Sequence, residues 1–135
     1  GRTSYNDIGW GCLRRCGKNT RNTAKGLHMV IKKHLDVAAS EEMPGVMKRD
    51  VISAADGAPN FCMRVFELQP GASTPYHNHP WEHEVYLIDG EGVVVSEEGE
   101  TPISSESVVF VPENEQHCFR NTGKDKMHFV CVIPN

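Results

Sequence analysis

The chain has 135 residues, 39% hydrophobic and 24% charged, enough for one buried core in one domain. A formal net charge of -4 offers no basic footprint for nucleic acid. The longest apolar runs, such as Val93-Val94-Val95, are too short to span a bilayer, and no apolar signal-peptide core stands near Gly1.

Residues 1–28 are rich in Gly, Asn, Thr, Arg and Lys and hold neither a two-residue nor a helical period. They read as an appended leader or an extension of artificial origin, outside a domain that runs from 29 to 135. Within them, DIGWGCLRRCG resembles the stretch around the nucleophile of autophagy-type cysteine peptidases, with Cys12 in the nucleophile's place. Such a peptidase also needs a positioned His and an Asp or Asn on a larger scaffold, so the segment is read as non-catalytic. Cys12 and Cys16 are too few for a structural zinc site, which takes four ligands. Cys62, Cys118 and Cys131 stand in apolar, strand-like contexts and are expected as buried, reduced thiols in a cytoplasmic setting.

From about Val46 the pattern turns β-like. Alternation predicts strands at Val46–Ser53, Phe61–Leu68, Ser73–His77, His83–Ile88, Glu91–Ser96, Ser107–Val111, His117–Asn121 and Met127–Ile133. Turn-forming stretches such as DGAPN, QPGAS, DGEG, PENEQ and NTGKD separate them. Asp89-Gly90 marks one hairpin, and VVVSEEGETPIS reads as a second. No stretch after Lys33 carries a capped helical period. Many short strands joined by Gly- and Pro-rich turns predict an all-β barrel or sandwich.

The segment HNHPWEHE, positions 77–84, crowds three imidazoles and two carboxylates around a proline and a tryptophan. Side chains alternate along a strand, so His77 and His79 would point the same way and reach one cation. Pro80 ends regular pairing, and the next strand can deliver His83. His117, which opens the strand after PENEQ, is the candidate fourth ligand. His28, His34 and His128 lack this joint spacing and read as ordinary surface or core residues. Glu82 and Glu84 are expected at most to hydrogen-bond a ligand imidazole. Asn78 is expected to face away, and Trp81 either closes the site or packs at a dimer contact.

These residues resemble the two motifs of the cupins. Gly71, ASTPY, His77-Asn78-His79, PWE, His83, EVYLID and Gly90 follow the first motif, with His83 where Glu is usual. Pro112, Asn114, His117 and Asn121 follow the second, in which Glu106 and Asn114 stand where the family usually has glycine. The stretches DGAPNFCMRVFELQPG, HNHPWEHEVYLIDGEG and HCFRN look like small four-histidine monocupins, including manganese-binding ones. The resemblance implies a double-stranded β-helix (jelly roll), one metal per chain held by His77, His79, His83 and His117, and a homodimer. It places Arg64, Phe129 and Cys131 near the metal cavity.

Four neutral imidazoles leave the full charge of a divalent ion uncompensated, which favours anionic oxygen donors at any open position. Ligand softness favours Zn, Cu, Fe or Ni, whereas the resemblance points to Mn. Mn and Fe rank first; Cu, Ni and Zn stay open. The expected function is oxidoreductase chemistry of dioxygenase type on a small organic substrate. The alternative is a non-enzymatic module that captures a small anion or sugar. Arg64 could hold a substrate carboxylate or form a salt bridge at the barrel mouth. A homodimer is also expected because a barrel this small gains from covering more surface.

Overall fold

Alternating burial builds the molecule. In the computed structural model, which describes residues 28–135, strands form at β1 Ser40–Met43, β2 Val46–Ile52, β3 Phe61–Leu68, β4 His83–Asp89 and β5 Glu91–Ser96. They continue as β6 Gly99–Ser104, β7 Val108–Val111, β8 His117–Asn121 and β9 Met127–Pro134. One sheet has the order β1-β2-β3-β9-β4-β7 and the other β6-β5-β8, with every pairing antiparallel. Expectations for Cys12, Cys16 and the rest of the leader lie outside the described residues, apart from its last position.

The register decides which side chains meet inside. β3 and β9 pair along their whole length, which sets Arg64 opposite Cys131 and Phe66 opposite Phe129. In β9 every second residue, Met127, Phe129, Cys131 and Ile133, is buried, and β4 buries His83, Val85 and Leu87 in the same rhythm. Phe129 stacks on Phe66 with ring centroids 4.9 Å apart, and meets Phe119 of the opposite sheet in a tilted contact at 4.9 Å. This aromatic row joins the two sheets, and each fully buried Phe contributes ~1.5–3 kcal/mol through lost water contact.

The predicted strand at Ser73–His77 does not form as a strand. Pro75 has no N–H to give, and only two isolated bridges remain there, Ser73 with Arg120 and His77 with His117. Three described elements escaped the alternation argument, one of them a short 3-10 turn at His34–Asp36. β1 (SEEM) carries two glutamates, residues poor in β propensity, and forms because the turn through Gly45 (φ 79°) folds it onto β2. The other 3-10 turn, at Ala54–Asp56, is closed by a capping box, in which Ser53 N–H donates to the Asp56 carboxylate at 2.9 Å.

The two positions where the second motif lacks glycine still adopt the backbone a glycine would: Glu106 has φ 73° and Asn114 φ 66°. Gly90, at φ 96°, could not be replaced, since an added Cβ would fall 2.8 Å from Met127 Cα. Asn121 ties the end of the barrel together: its side-chain amide donates to Leu68 O at 2.9 Å and Asp125 O at 2.8 Å, while its carbonyl oxygen accepts from Gly123 N–H at 2.9 Å. Cys118 and Cys131 are free thiols, as expected, whereas Cys62 is disulfide-bonded; apolar context gives burial but not pairing state. No helix among the described residues is long and apolar enough to cross a membrane.

Candidate metal centre

The site starts from a reciprocal backbone pair. His77 N–H donates to His117 O at 3.1 Å, and His117 N–H donates to His77 O at 2.9 Å. Directly opposed residues of an antiparallel pair project side chains to one face, so the two rings meet with centroids 5.1 Å apart. Thr74 fixes this approach: its N–H donates to Phe119 O at 2.9 Å and its hydroxyl accepts from Phe119 N–H at 2.8 Å. His79 follows in the loop, held where its carbonyl accepts from Asn114 N–H at 2.7 Å. Its ring lies 5.3 Å from His77 and 5.2 Å from His117. His77 and His79 therefore converge, but through a loop bent at Pro75 and Pro80 rather than along one strand.

His83, the first residue of β4, stands opposite Val111 of β7. Its ring stacks on that of His79 at 4.1 Å and 10°, and lies 5.3 Å from His117. Ring nitrogens of His77, His79 and His117 lie within 4.8 Å of one another. Two nitrogens on one ion stand at most ~4.2 Å apart, so small side-chain adjustments suffice for coordination. His83 belongs to the cluster of rings but not to this triangle of donors.

Two rings are aimed by backbone carbonyls. His79 Nδ1 meets Trp81 O at 2.8 Å, and His117 Nδ1 meets Glu115 O at 2.8 Å. This leaves Nε2 as the donor in each. Nε2 of His79 and His83 is buried without a hydrogen-bond partner, and the buried His77 ring has only a loose approach to the Pro75 carbonyl. Buried polar atoms are ordinarily satisfied, and one divalent cation among these nitrogens would satisfy one on each ring. Burial pushes the imidazoles towards the neutral form that coordination requires. His77 falls to about 3 and His79 to about 4, with mutual repulsion of the neighbouring rings adding to the loss of hydration. His83 is driven lower still by burial and the Arg64 guanidinium, and burial lowers His117 as well.

The surrounding residues meet the cluster in different ways. Arg64 is wholly buried and donates from Nη2 to Cys131 Sγ at 3.0 Å. Cys131 in turn touches His83, with Sγ 3.3 Å from Nδ1. Phe129 packs in the core and reaches the site through Phe119, whose ring is 6.2 Å from His117. Glu82 and Glu84 are exposed, and neither hydrogen-bonds an imidazole among the described residues. Trp81 does close the cluster from one side, stacked on His79 at 4.6 Å. His128 sits between Asp89 at 2.5 Å and Glu67 at 3.3 Å, outside the cluster, and His28 and His34 are exposed. A cavity of about 450 Å³ opens between β6 and β7, with His117, Val94, Thr101, Ile103, Val109 and Glu115 among its walls.

Comparison with known proteins agrees with this architecture. Residues 64–133 match the cupin domain profile Cupin_2. The oxalate-binding protein of Thermotoga maritima is 37% identical over 68 residues, covering 50% of this chain and 56% of that protein. The tetracenomycin polyketide synthase protein TcmJ of Streptomyces glaucescens is 30% identical over 88 residues, covering 64% of this chain and 59% of TcmJ. The chain thus spans little more than half the length of these two relatives. Among solved structures, the polyketide cyclase RemF of Streptomyces resistomycificus superposes with a TM-score of 0.73 at 31% identity, covering 79% of this chain and 80% of RemF. A double-stranded β-helix with both histidine motifs converging in its interior and a matching domain profile place this chain in the cupin family.

Proposed function

We propose that the protein is a mononuclear metal enzyme in which His77, His79, His83 and His117 hold one divalent ion, Mn or Fe before Cu, Ni or Zn. The reaction class is dioxygenase-type oxidation of a small enolisable or unsaturated organic compound. The observation that carries this is the set of buried, neutral, unsatisfied ring nitrogens facing one another. A bound ion there would supply Lewis acidity to an oxygen-donor ligand and a meeting point for that ligand and dioxygen. The chain's own part is to keep the imidazoles neutral, to aim them through Trp81 O and Glu115 O, and to shield the site with Trp81 and the apolar core. With no carboxylate in the donor triangle, the centre keeps its positive charge, and the buried Arg64 adds to it. Both favour an anionic or enolate ligand. The cavity beside His117 falls in the usual size range for small-molecule sites, and its mixed walls, Val94, Ile103 and Val109 beside Thr101 and Glu115, suit a small compound with both a carbon skeleton and polar oxygens. Likeness to RemF and TcmJ, both named for polyketide work, supports enolisable polyketide-like compounds as the first substrates to try.

The second reading is a metal-dependent binding module for a small anion, favoured by the likeness to an oxalate-binding protein. Elemental analysis of protein purified without added metal comes first. Oxygen consumption is then followed with a panel of β-diketones and alkenyl phenols, and oxalate binding by calorimetry. Substrate-dependent oxygen uptake supports the enzyme. No uptake with any loaded metal, together with tight oxalate binding, overturns it in favour of the module.

We further propose a homodimer joined through the outer face of the larger sheet. Phe61, Met63, Tyr86, Ile88, Val108 and Phe110 are exposed on this face, and an apolar groove runs between Tyr86, Val108, Phe110 and Val132. An apolar surface of this extent is characteristic of a contact between chains.

A further inference from the structure

Each aimed imidazole needs an acceptor for the proton on its non-coordinating nitrogen, and the acceptors here are of two kinds. His79 and His117 use the backbone carbonyls of Trp81 and Glu115, which no substitution removes. His83 has no such carbonyl. Its Nδ1 lies 3.3 Å from the sulfur of Cys131, on the adjacent strand β9, while its Nε2 is buried without a hydrogen-bond partner. The sulfur is itself held, because Arg64 Nη2 donates to it at 3.0 Å from the far neighbour β3. Arg64 and Cys131 are directly opposed in the β3–β9 register, and all three side chains are essentially inaccessible to water.

The geometry points to Cys131 as the positioning residue for the fourth ligand: its sulfur, fixed by Arg64, accepts from His83 Nδ1–H and so commits Nε2 to the metal. This rests on His83 as a ligand, as proposed above. A sulfur is a weaker and longer acceptor than a carbonyl, which makes His83 the least firmly aimed of the three. The observed stacking of His83 on His79, outside the triangle of the other donors, agrees with that. Other acceptors cannot easily replace the sulfur, since the nearby Glu84 points to solvent from the opposite face of β4.

The test uses the full chain, with zinc as a diamagnetic probe. Zinc affinity is measured by competition with a chromophoric chelator for wild type, Cys131→Ala, Cys131→Ser and His83→Ala. Nitrogen-15 imidazole shifts report which ring nitrogen of His83 carries the proton. Loss of an outer partner of a metal ligand typically weakens binding about 10- to 100-fold. Cys131→Ala is expected to show a loss in that range and a mixed His83 tautomer, with both largely restored in Cys131→Ser, whose hydroxyl can also accept. A purely structural role in packing would not move the tautomer. Unchanged affinity in Cys131→Ala beside a clear loss in His83→Ala overturns the proposal and leaves the four-histidine site standing. Unchanged affinity in His83→Ala removes the fourth ligand and the proposal with it. Should Cys131→Ala fail to fold, wild type alone decides: a zinc-loaded His83 protonated on Nε2 refutes the assignment.

Discussion

Removing metal should make the protein acid-sensitive through its own ligands. His77 is 8% exposed, so solvent screening is slight, and burial lowers its folded value from 6.5 to about 3. Above pH 6.5 the ring is neutral in both folded and unfolded chains and costs nothing. Below it the unfolded chain takes up a proton that the folded chain refuses, so stability is lost progressively until pH falls to the folded value. At pH 5.5 the unfolded imidazole is about ten to one protonated, which costs the fold roughly 1.4 kcal/mol relative to neutral pH. The assay is urea unfolding of metal-free wild type and His77→Gln at pH 7.5 and 5.5, above the range in which most carboxylates titrate. Wild type should lose about 1.4 kcal/mol more than the variant between the two conditions. Equal losses in both proteins would refute the claim that this imidazole is held neutral by burial.

Three further outcomes follow. His83→Ala should lower metal content, His128→Ala should leave it unchanged, and His83→Glu should keep the metal while shifting preference from Cu towards Mn or Fe, read by elemental analysis; metal lost in Glu84→Ala but kept in His83→Ala would move the fourth ligand by one residue. Glu106→Gly should raise stability by about 1 kcal/mol in a thermal melt, because a non-glycine residue at φ 73° carries steric strain that glycine lacks. Phe110→Glu should convert the proposed dimer to monomer in light scattering at micromolar concentration, and a wild-type monomer at that concentration would remove the dimer altogether.

Much of this fold was legible because its signals are local. Apolar runs bounded by turn-forming stretches located β3, β5 and β8 with their observed ends, even though β8 is buried along nearly its whole length. The convergence of His77, His79, His83 and His117 was legible from spacing. The route was not, because alternation along Ser73–His77 says nothing of what Pro75 does to pairing. β1 was invisible, since SEEM carries no apolar rhythm and depends on the turn that folds it back. The acceptors Trp81 O and Glu115 O left no trace, as every residue has a carbonyl and only the folded path selects two of them. The family resemblance pointed Arg64 and Cys131 towards the metal cavity. What it missed is that their contact is with each other and with His83, which depends on cross-strand register rather than on either strand alone.

The reciprocal bonds between His77 and His117 have a consequence for the folding pathway. The two residues are far apart in the chain, and strands β4 to β7 lie between them. Closing that span gains nothing until the sheets have docked, so the pair belongs among the last contacts to form. The chain therefore offers a cation no complete cradle while it is still assembling. Capture of an ion at full affinity would mark the end of folding, and its kinetics would time the docking of the two sheets.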